Sequence, residues 1–124
     1  MPHIVIADDD SIQLELRKQL FEGRGHTVAT ALTPFKALRA IEAKTTALVI
    51  IDLRFPNGEG VPDANEGLAL IRRLRDDGHT LPVLVLSGWP ADIHGLPEEK
   101  LVTRILMKPV RSAVLADTVR EMIA

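Results

Sequence analysis

The chain has 124 residues, of which 46% are hydrophobic and none is cysteine, so it can bury an aliphatic core but cannot form a disulfide or a thiolate metal site. Its net charge of −2 and its lack of a basic block argue against direct binding to nucleic acid. No apolar run approaches the roughly 18 residues of a membrane span, and the N-terminus has no signal-peptide pattern, so we expect a cytoplasmic protein without membrane contact.

Short apolar strands alternate with helical patterns along the chain. In order, they are a strand at 4–7, a helix at 11–22, a weaker strand at 26–31, a helix at 34–43, a strand at 47–51, a helix at 66–76, strands at 81–86 and 105–107, and a helix at 110–123. The stretch at 91–100 is a poor helix, because Gly95 and Pro97 interrupt it. The alternation predicts an α/β fold of the doubly wound (βα)₅ type, with a five-stranded parallel sheet covered on both faces.

Apolar residues lie on two different sides of the predicted first helix, and only one of these sides can face the sheet. Its pattern predicts that Ile12, Leu16 and Leu20 pack against the sheet. Leu14 and Phe21 would then lie on the side of the helix that faces away from the core.

One irregular segment interrupts the regular pattern, at about residues 55–66. It is rich in Pro, Gly, Asn and Asp, a composition typical of a long surface loop. No repeat or composition change marks a second domain, so residues 1–124 are predicted to form a single domain with this one lengthened loop.

Polar side chains follow four of the five predicted strands. They are Asp8, Asp9 and Asp10 after the first strand, Asp52 after the third, Ser87 after the fourth and Lys108 after the fifth. Because the functional crevice of an open parallel sheet lies outside the carboxyl ends of its strands, we expect these residues to converge. Asp10 also stands where the N-cap of the first helix belongs.

Such a cluster favours one kind of chemistry. Carboxylates a few ångströms apart raise the pKa of at least one of them unless a cation is bound. Their oxygens suit Mg²⁺, which neutralises charge on a transferring phosphoryl group, and Lys108 and Ser87 would contact phosphoryl oxygens. Because a carboxylate can act as the nucleophile, the cluster predicts transfer of a phosphoryl group to an aspartate.

Four segments carry a resemblance to a known family in their order, spacing and strand context. They are residues 4–10 (IVIADDD), 48–56 (LVIIDLRFP), 83–88 (VLVLSG) and 107–109 (MKP). Together they resemble the receiver domains of two-component response regulators over essentially the whole chain. The resemblance implies the flavodoxin-like receiver fold, with the sheet in the order 2-1-3-4-5.

The resemblance also implies roles for the acidic residues. Asp52 is the phosphoacceptor, and Asp8 and Asp9 form the pair that holds Mg²⁺, for which Mn²⁺ could substitute. Asp9 is expected to bind the ion directly, and Asp52 and the backbone carbonyl of Arg54 complete the protein ligands.

A switch and a set of partners follow from the same resemblance. Ser87 is the switch hydroxyl, Lys108 pairs with the phosphate, and the Lys108–Pro109 peptide bond is cis. The phosphoryl donor is a histidine kinase or a histidine phosphotransfer protein, and the signal passes to a downstream protein or to an output domain outside this sequence. Because receivers often meet their kinase near the first helix, Leu14 and Phe21 are candidate partner contacts.

Three features depart from the usual pattern of the family. Residues 57–66 include an insertion of about seven residues, which a surface loop tolerates; we expect it to be a partner contact or to have no role, rather than to be a lid. Ile105 stands where receivers carry Tyr or Phe, the ring that turns inward with the switch hydroxyl, so we expect a different output surface. Arg54 and Trp89, the latter next to Gly88, flank the acceptor, and their bulk predicts slow self-dephosphorylation; the alternative is that Trp89 only packs on the loop.

Other functions fit parts of the pattern. A phosphatase of the haloacid-dehalogenase type needs a second Asp where Arg54 stands, and a nucleotide-binding flavodoxin-like protein needs a Gly-rich loop after the first strand, which is missing. A receiver-like interaction module that acts without phosphorylation stays open, because of Ile105 and the long segment. We therefore expect a phosphorylatable signalling switch, not an enzyme, with this module as the alternative.

Overall fold

Five parallel strands form the central sheet of the computed structural model, which describes all 124 residues. The chain has seven strands in all, which are β1 (His3–Ala7), β2 (Thr27–Ala31), β3 (Leu48–Asp52), β4 (Phe55–Pro56), β5 (Pro62–Asp63), β6 (Val83–Ser87) and β7 (Arg104–Met107). The sheet has the order β2-β1-β3-β6-β7, and β4 and β5 form a separate antiparallel hairpin. This is the predicted order 2-1-3-4-5, so the predicted fold class is confirmed.

The sheet is covered by four α-helices. They are α1 (Ser11–Glu22), α2 (Pro34–Ala43), α3 (Ala64–Asp76) and α4 (Ser112–Ile123). None of them combines the length and the apolar composition that a membrane crossing needs. Between β6 and β7 the chain forms two short 3₁₀ helices, Pro90–Asp92 and Pro97–Leu101, in agreement with the prediction that this stretch is a poor α-helix.

Alternate residues of the inner strands belong to two separate cores. The core under α2 and α3 includes Val5, Val49, Ile51, Val83 and Val85, and the core under α1 and α4 includes Ile4, Ile6, Leu48, Ile50, Leu84 and Leu86. Successive side chains of a strand point to opposite faces, so a strand covered on both faces must be apolar at every position. This requirement explains why the strands appear in the sequence as continuous apolar runs.

The predicted orientation of α1 is wrong for Ile12 and Leu16, although Leu20 is partly buried against the core as predicted. Leu14 and Phe21 are buried, whereas Ile12 is 70% exposed and Leu16 is 55% exposed. Because Leu14 and Phe21 lie in the core with β1 and α4, they cannot be the partner contacts that the sequence predicted on them.

Two cations on the inward face of α1 explain this error. Arg17 and Lys18 stand between Leu14 and Phe21 at helical spacing, and both are partly buried. A side chain of this kind can bury its aliphatic stem and keep its charged end at a polar group. The hydrophobic pattern therefore favoured the outer face, where Ile12 and Leu16 lie exposed.

The segment predicted as a loop at about 55–66 is partly regular. Phe55 pairs with Asp63 in the β4–β5 hairpin, and the Asn57 side chain closes its turn by accepting the backbone N–H groups of Glu59 (2.9 Å) and Val61 (3.1 Å). The Asp63 carboxylate accepts the N–H of Asn65 (2.9 Å), so α3 begins two residues before the predicted position 66.

Candidate functional site

Six of the predicted site residues line one open cavity of about 320 Å³ at the carboxyl edge of the sheet. They are Asp8, Asp9, Asp52, Arg54, Trp89 and Lys108, and Asp10, Gln13 and Pro62 complete the lining. The cavity lies at the carboxyl ends of β1 and β3, where the strand order reverses. This is the position at which open α/β sheets bind ligands.

Asp52 lies buried at the end of β3, at the base of the cavity. The ammonium group of Lys108 donates a hydrogen bond to one of its carboxylate oxygens. Burial raises the pKa of Asp52, the hydrogen bond from Lys108 offsets part of this rise, and the charge of Asp8 adds to it. Lys108 therefore stabilises the ionised form of Asp52, but not enough to offset the cost of burying the negative charge.

Asp8 and Asp9 follow β1, but they have different surroundings. Asp8 is buried, and its two oxygens accept the backbone N–H of Asp10 (3.0 Å) and the Arg17 guanidinium (2.8 Å). Partial loss of hydration, and then the charge of Asp8, raise the pKa of Asp9. The expected rise in the pKa of at least one clustered carboxylate is thus found at both Asp9 and Asp52.

The structure places Ser87 beside the cavity but not in its lining. This residue is buried at the end of β6, where its hydroxyl donates to the Trp89 carbonyl (2.9 Å) and accepts the Trp89 N–H (3.2 Å). The hydroxyl is therefore bound to the loop that follows its own strand.

Arg54 and Trp89 contact each other on one side of the cavity. The guanidinium carbon of Arg54 lies 3.5 Å from the centroid of the Trp89 ring, a cation–π arrangement. The same guanidinium donates two hydrogen bonds, of 2.9 and 3.1 Å, to the Asp92 carboxylate. These contacts join the loop after β3 to the loop after β6.

The remaining flanking residues lie outside the cavity lining. The Lys108–Pro109 peptide bond is cis, as predicted, and the Lys108 N–H donates to the Ser87 carbonyl (2.8 Å). Gly88 is exposed beside Trp89, and Ile105 is partly buried against the core under α2 and α3.

Sequence reasoning missed four residues at this site, one of which is Gln13 in the cavity lining. Arg17 had no clear signal, because the hydrophobic pattern placed Leu14 and Phe21, its neighbours on the helix face, away from the core. Asp92, which is 38 residues from its partner Arg54, and Pro62, which comes from the hairpin, had no signal in the sequence.

The donor set fits a hard divalent cation. Asp8, Asp9 and Asp52 offer only carboxylate oxygens, which suit Mg²⁺ or Mn²⁺ better than softer metals. Burial, together with the charge of Asp8, raises the pKa of Asp9 and of Asp52, so a bound cation would stabilise the ionised forms of both.

The protein is of the doubly wound α/β class, with an acidic cavity at the point where its strand order reverses. The sequence matches the family model of the response regulator receiver domain over residues 4–120. The chain therefore belongs to the receiver domain family of two-component response regulators, whose members are signalling switches.

Known proteins of this family are similar to the chain. The transcriptional regulatory protein BasR of Escherichia coli is 32% identical over 85 residues, which are 68% of this chain and 35% of that protein. AfsQ1 of Streptomyces coelicolor, also a transcriptional regulatory protein, is 30% identical over 120 residues, which are 94% of this chain and 48% of that protein. The chain thus spans less than half the length of these curated relatives.

A solved receiver domain from Clostridium thermocellum has a similar fold throughout. It superposes with a TM-score of 0.83 at 25% identity, and the match covers 99% of this chain and 94% of that one.

Proposed function

We propose that the chain is a phosphoacceptor domain, which takes a phosphoryl group from a histidine kinase or a histidine phosphotransfer protein onto Asp52 in a Mg²⁺-dependent reaction. The observation that carries this proposal is the buried Asp52 at the base of an acidic cavity, with Lys108 bound to it and Asp8 and Asp9 in the same lining. Membership of the receiver family supports it. We further propose that residues 1–124 act as one domain.

The chemical step follows from these side chains. An oxygen of Asp52 bonds to phosphorus while the bond from phosphorus to the donor's imidazole nitrogen breaks. When bound by Asp8, Asp9, Asp52 and the carbonyl of Arg54, Mg²⁺ supplies positive charge that stabilises the phosphoryl oxygens. Lys108 already contacts Asp52, so it can pair with a phosphoryl oxygen after a small movement.

The switch requires one exchange of hydrogen bonds. To donate to a phosphoryl oxygen, the Ser87 hydroxyl must leave the Trp89 carbonyl. Trp89 then loses one of the contacts that hold it in place, so the loop after β6 changes conformation. A downstream protein, or an output domain outside this sequence, would read that change.

The partner surface on α1 is proposed at its exposed apolar residues. Ile12 and Leu16 are four residues apart on one side of the helix, and the neighbouring Gln13 lines the cavity. A phosphoryl donor that contacts these residues would stand next to Asp52. They replace Leu14 and Phe21 as the candidate contacts.

The mass of the intact protein tests the phosphoacceptor proposal. After incubation with acetyl phosphate and Mg²⁺, we expect the native chain to gain one phosphoryl group, and we expect no gain in Asp52→Asn or in the presence of EDTA. The alternative is an interaction module that acts without phosphorylation, which is favoured by Ile105 and by the ion pair between Arg17 and Asp8. Failure to label the native chain, under conditions that label a known receiver, would support that alternative.

A further inference from the structure

The ion pair between Arg17 and Asp8 is not used by the chemical step described above. The Arg17 side chain is 12% exposed and that of Asp8 is 2% exposed, with 2.8 Å between Nη1 and Oδ2. The other oxygen of Asp8 accepts the N–H of Asp10. Both oxygens of a residue expected to take part in cation binding therefore already have partners within the protein.

This pair must affect any cation that enters the cavity. A charge-assisted hydrogen bond of this length between largely buried groups is stronger than a surface ion pair. A divalent cation at Asp8 must either displace the guanidinium or share the carboxylate with it, and sharing places two positive charges close together. In both cases Arg17 makes cation binding less favourable.

Arg17 also has space in which to move. It lines a small crevice of about 90 Å³ between α1 and α4, together with Leu16, Leu20 and Ser112. The guanidinium can therefore leave Asp8 without unpacking α1, whose core contacts are made by Leu14 and Phe21.

We propose that Arg17 sets the Mg²⁺ affinity of the acidic cavity, by competing with the cation for the carboxylate of Asp8. The inference rests on the proposed function, because it concerns the same cation site. It makes Arg17 a positioning residue that keeps Asp8 neutralised when no cation is bound, so that the cavity fills only at higher Mg²⁺ concentration.

The test is a Mg²⁺ titration of the native chain, Arg17→Met and Lys18→Met, at constant ionic strength. Trp89 is the only tryptophan and lines the cavity, so its fluorescence reports cation binding without any reaction. Met preserves the aliphatic stem, and Lys18 is a matched control that lies next to Arg17, is partly buried and is not paired with Asp8. We expect Arg17→Met to bind Mg²⁺ about tenfold more tightly than the native chain, and Lys18→Met to change the affinity less than twofold.

Each outcome of this titration decides the inference. An affinity of Arg17→Met that equals that of the native chain, or is weaker, overturns it, as does equal tightening in Lys18→Met. The phosphoacceptor proposal survives either result, since acetyl phosphate labelling tests it separately. Absence of binding in both the native chain and Arg17→Met overturns the cation site and the inference together, whereas binding in Arg17→Met alone supports it. Circular dichroism in EDTA establishes that each variant is folded, and Arg17→Gln replaces Arg17→Met if the latter is not.

Discussion

Asp52 is the residue whose electrostatic state has the most direct consequence for stability. Burial raises its pKa above the ordinary value of 3.8, so the folded chain holds a proton there more tightly than the unfolded chain. The stability gained from this proton is present below the unfolded pKa and is lost as the pH rises through the raised folded pKa. In the absence of a divalent cation, ionised Asp52 therefore destabilises the fold at neutral pH.

We expect Asp52→Asn to remove this loss. Relative to the native chain, the variant should gain stability between pH 4 and pH 7, by about 1.4 kcal/mol for each unit by which the pKa is raised. Urea unfolding of both chains in EDTA across this range measures the difference. Parallel curves of unfolding free energy against pH would contradict the prediction.

Arg54 and Trp89 form the second pair of residues with a testable consequence. Their stacking closes one side of the cavity, and Asp92 fixes the guanidinium through two hydrogen bonds. Because these bulky groups restrict the approach of water to phosphorylated Asp52, we expect Arg54→Ala combined with Trp89→Ala to lose its phosphoryl group several-fold faster. Intact mass followed over time after removal of acetyl phosphate gives the rate, and an unchanged rate would refute a shielding role.

At the scale of elements, α3 packs against the chain directly after β3 through one glycine. The Gly67 N–H donates to the Leu53 carbonyl (3.0 Å), and a Cβ on Gly67 would lie 2.5 Å from that same oxygen. Gly67→Ala must therefore push α3 away from the segment that carries Asp52.

We expect Gly67→Ala to lower the free energy of unfolding by about 1–3 kcal/mol, the usual cost of forcing extra atoms into a packed contact. Gly58→Ala is the matched control, because nothing lies within 4 Å of its added Cβ and its backbone does not require glycine. Urea unfolding compares the two variants. A similar small effect for both would mean that α3 shifts at no cost.

Substitutions on the exposed face of α1 are expected to affect the contact with the phosphoryl donor and not the chemical step. Leu16→Asp places a charge on the proposed contact surface, outside the cavity lining. We expect it to slow phosphotransfer from a histidine phosphotransfer protein about tenfold, a change typical of a hot-spot residue, while labelling by acetyl phosphate stays unchanged. Val61→Asp, on the exposed hairpin turn, is the control and should transfer normally. Equal rates for the two variants would exclude this face as the contact.

The helices and strands were predictable where a hydrophobic pattern or a capping residue specifies them. The boundaries of α1 and α2 agree with the prediction. Asp10 and Thr33 cap these helices through side-chain hydrogen bonds, and Asp and Thr are residue types that are common at this position. The inward face of α1 was not predictable from hydrophobicity, because Arg17 and Lys18 occupy it. The hairpin was missed because Asn57 closes it by bonds between side chain and backbone, which leave no periodic pattern.

At the scale of the whole molecule, the topology made the site predictable in outline. Asp8, Asp52, Ser87 and Lys108 are far apart in sequence, but the carboxyl ends of parallel strands bring them to one edge. The partners of these residues could not be predicted in the same way, because pairs such as Arg54 and Asp92 depend on the paths of irregular loops. The sheet order itself came from the family resemblance, since apolar periodicity does not specify which strands are neighbours.

The path of the signal through the molecule is the last consequence of this arrangement. Ile105 is aliphatic and partly buried, so it cannot report the state of Ser87 as a mobile aromatic ring would. The Ser87 hydroxyl is instead bonded to the backbone of Trp89, and Trp89 stacks on Arg54, which is bound to Asp92. Under the proposed function, movement of Ser87 toward a phosphoryl group would therefore act first on the loop after β6.

Hydrogen exchange detects such a change directly. With Mg²⁺ and beryllofluoride, a phosphoryl mimic, we expect the largest change in amide exchange at residues 88–96, and a smaller change along β7. Asp52→Asn, treated in the same way, should show neither change, because it has no carboxylate to bind the mimic. If the change were instead concentrated on β7 and α4, the signal would leave through that surface despite Ile105, and the contacts among Arg54, Trp89 and Asp92 would serve only to shape the cavity.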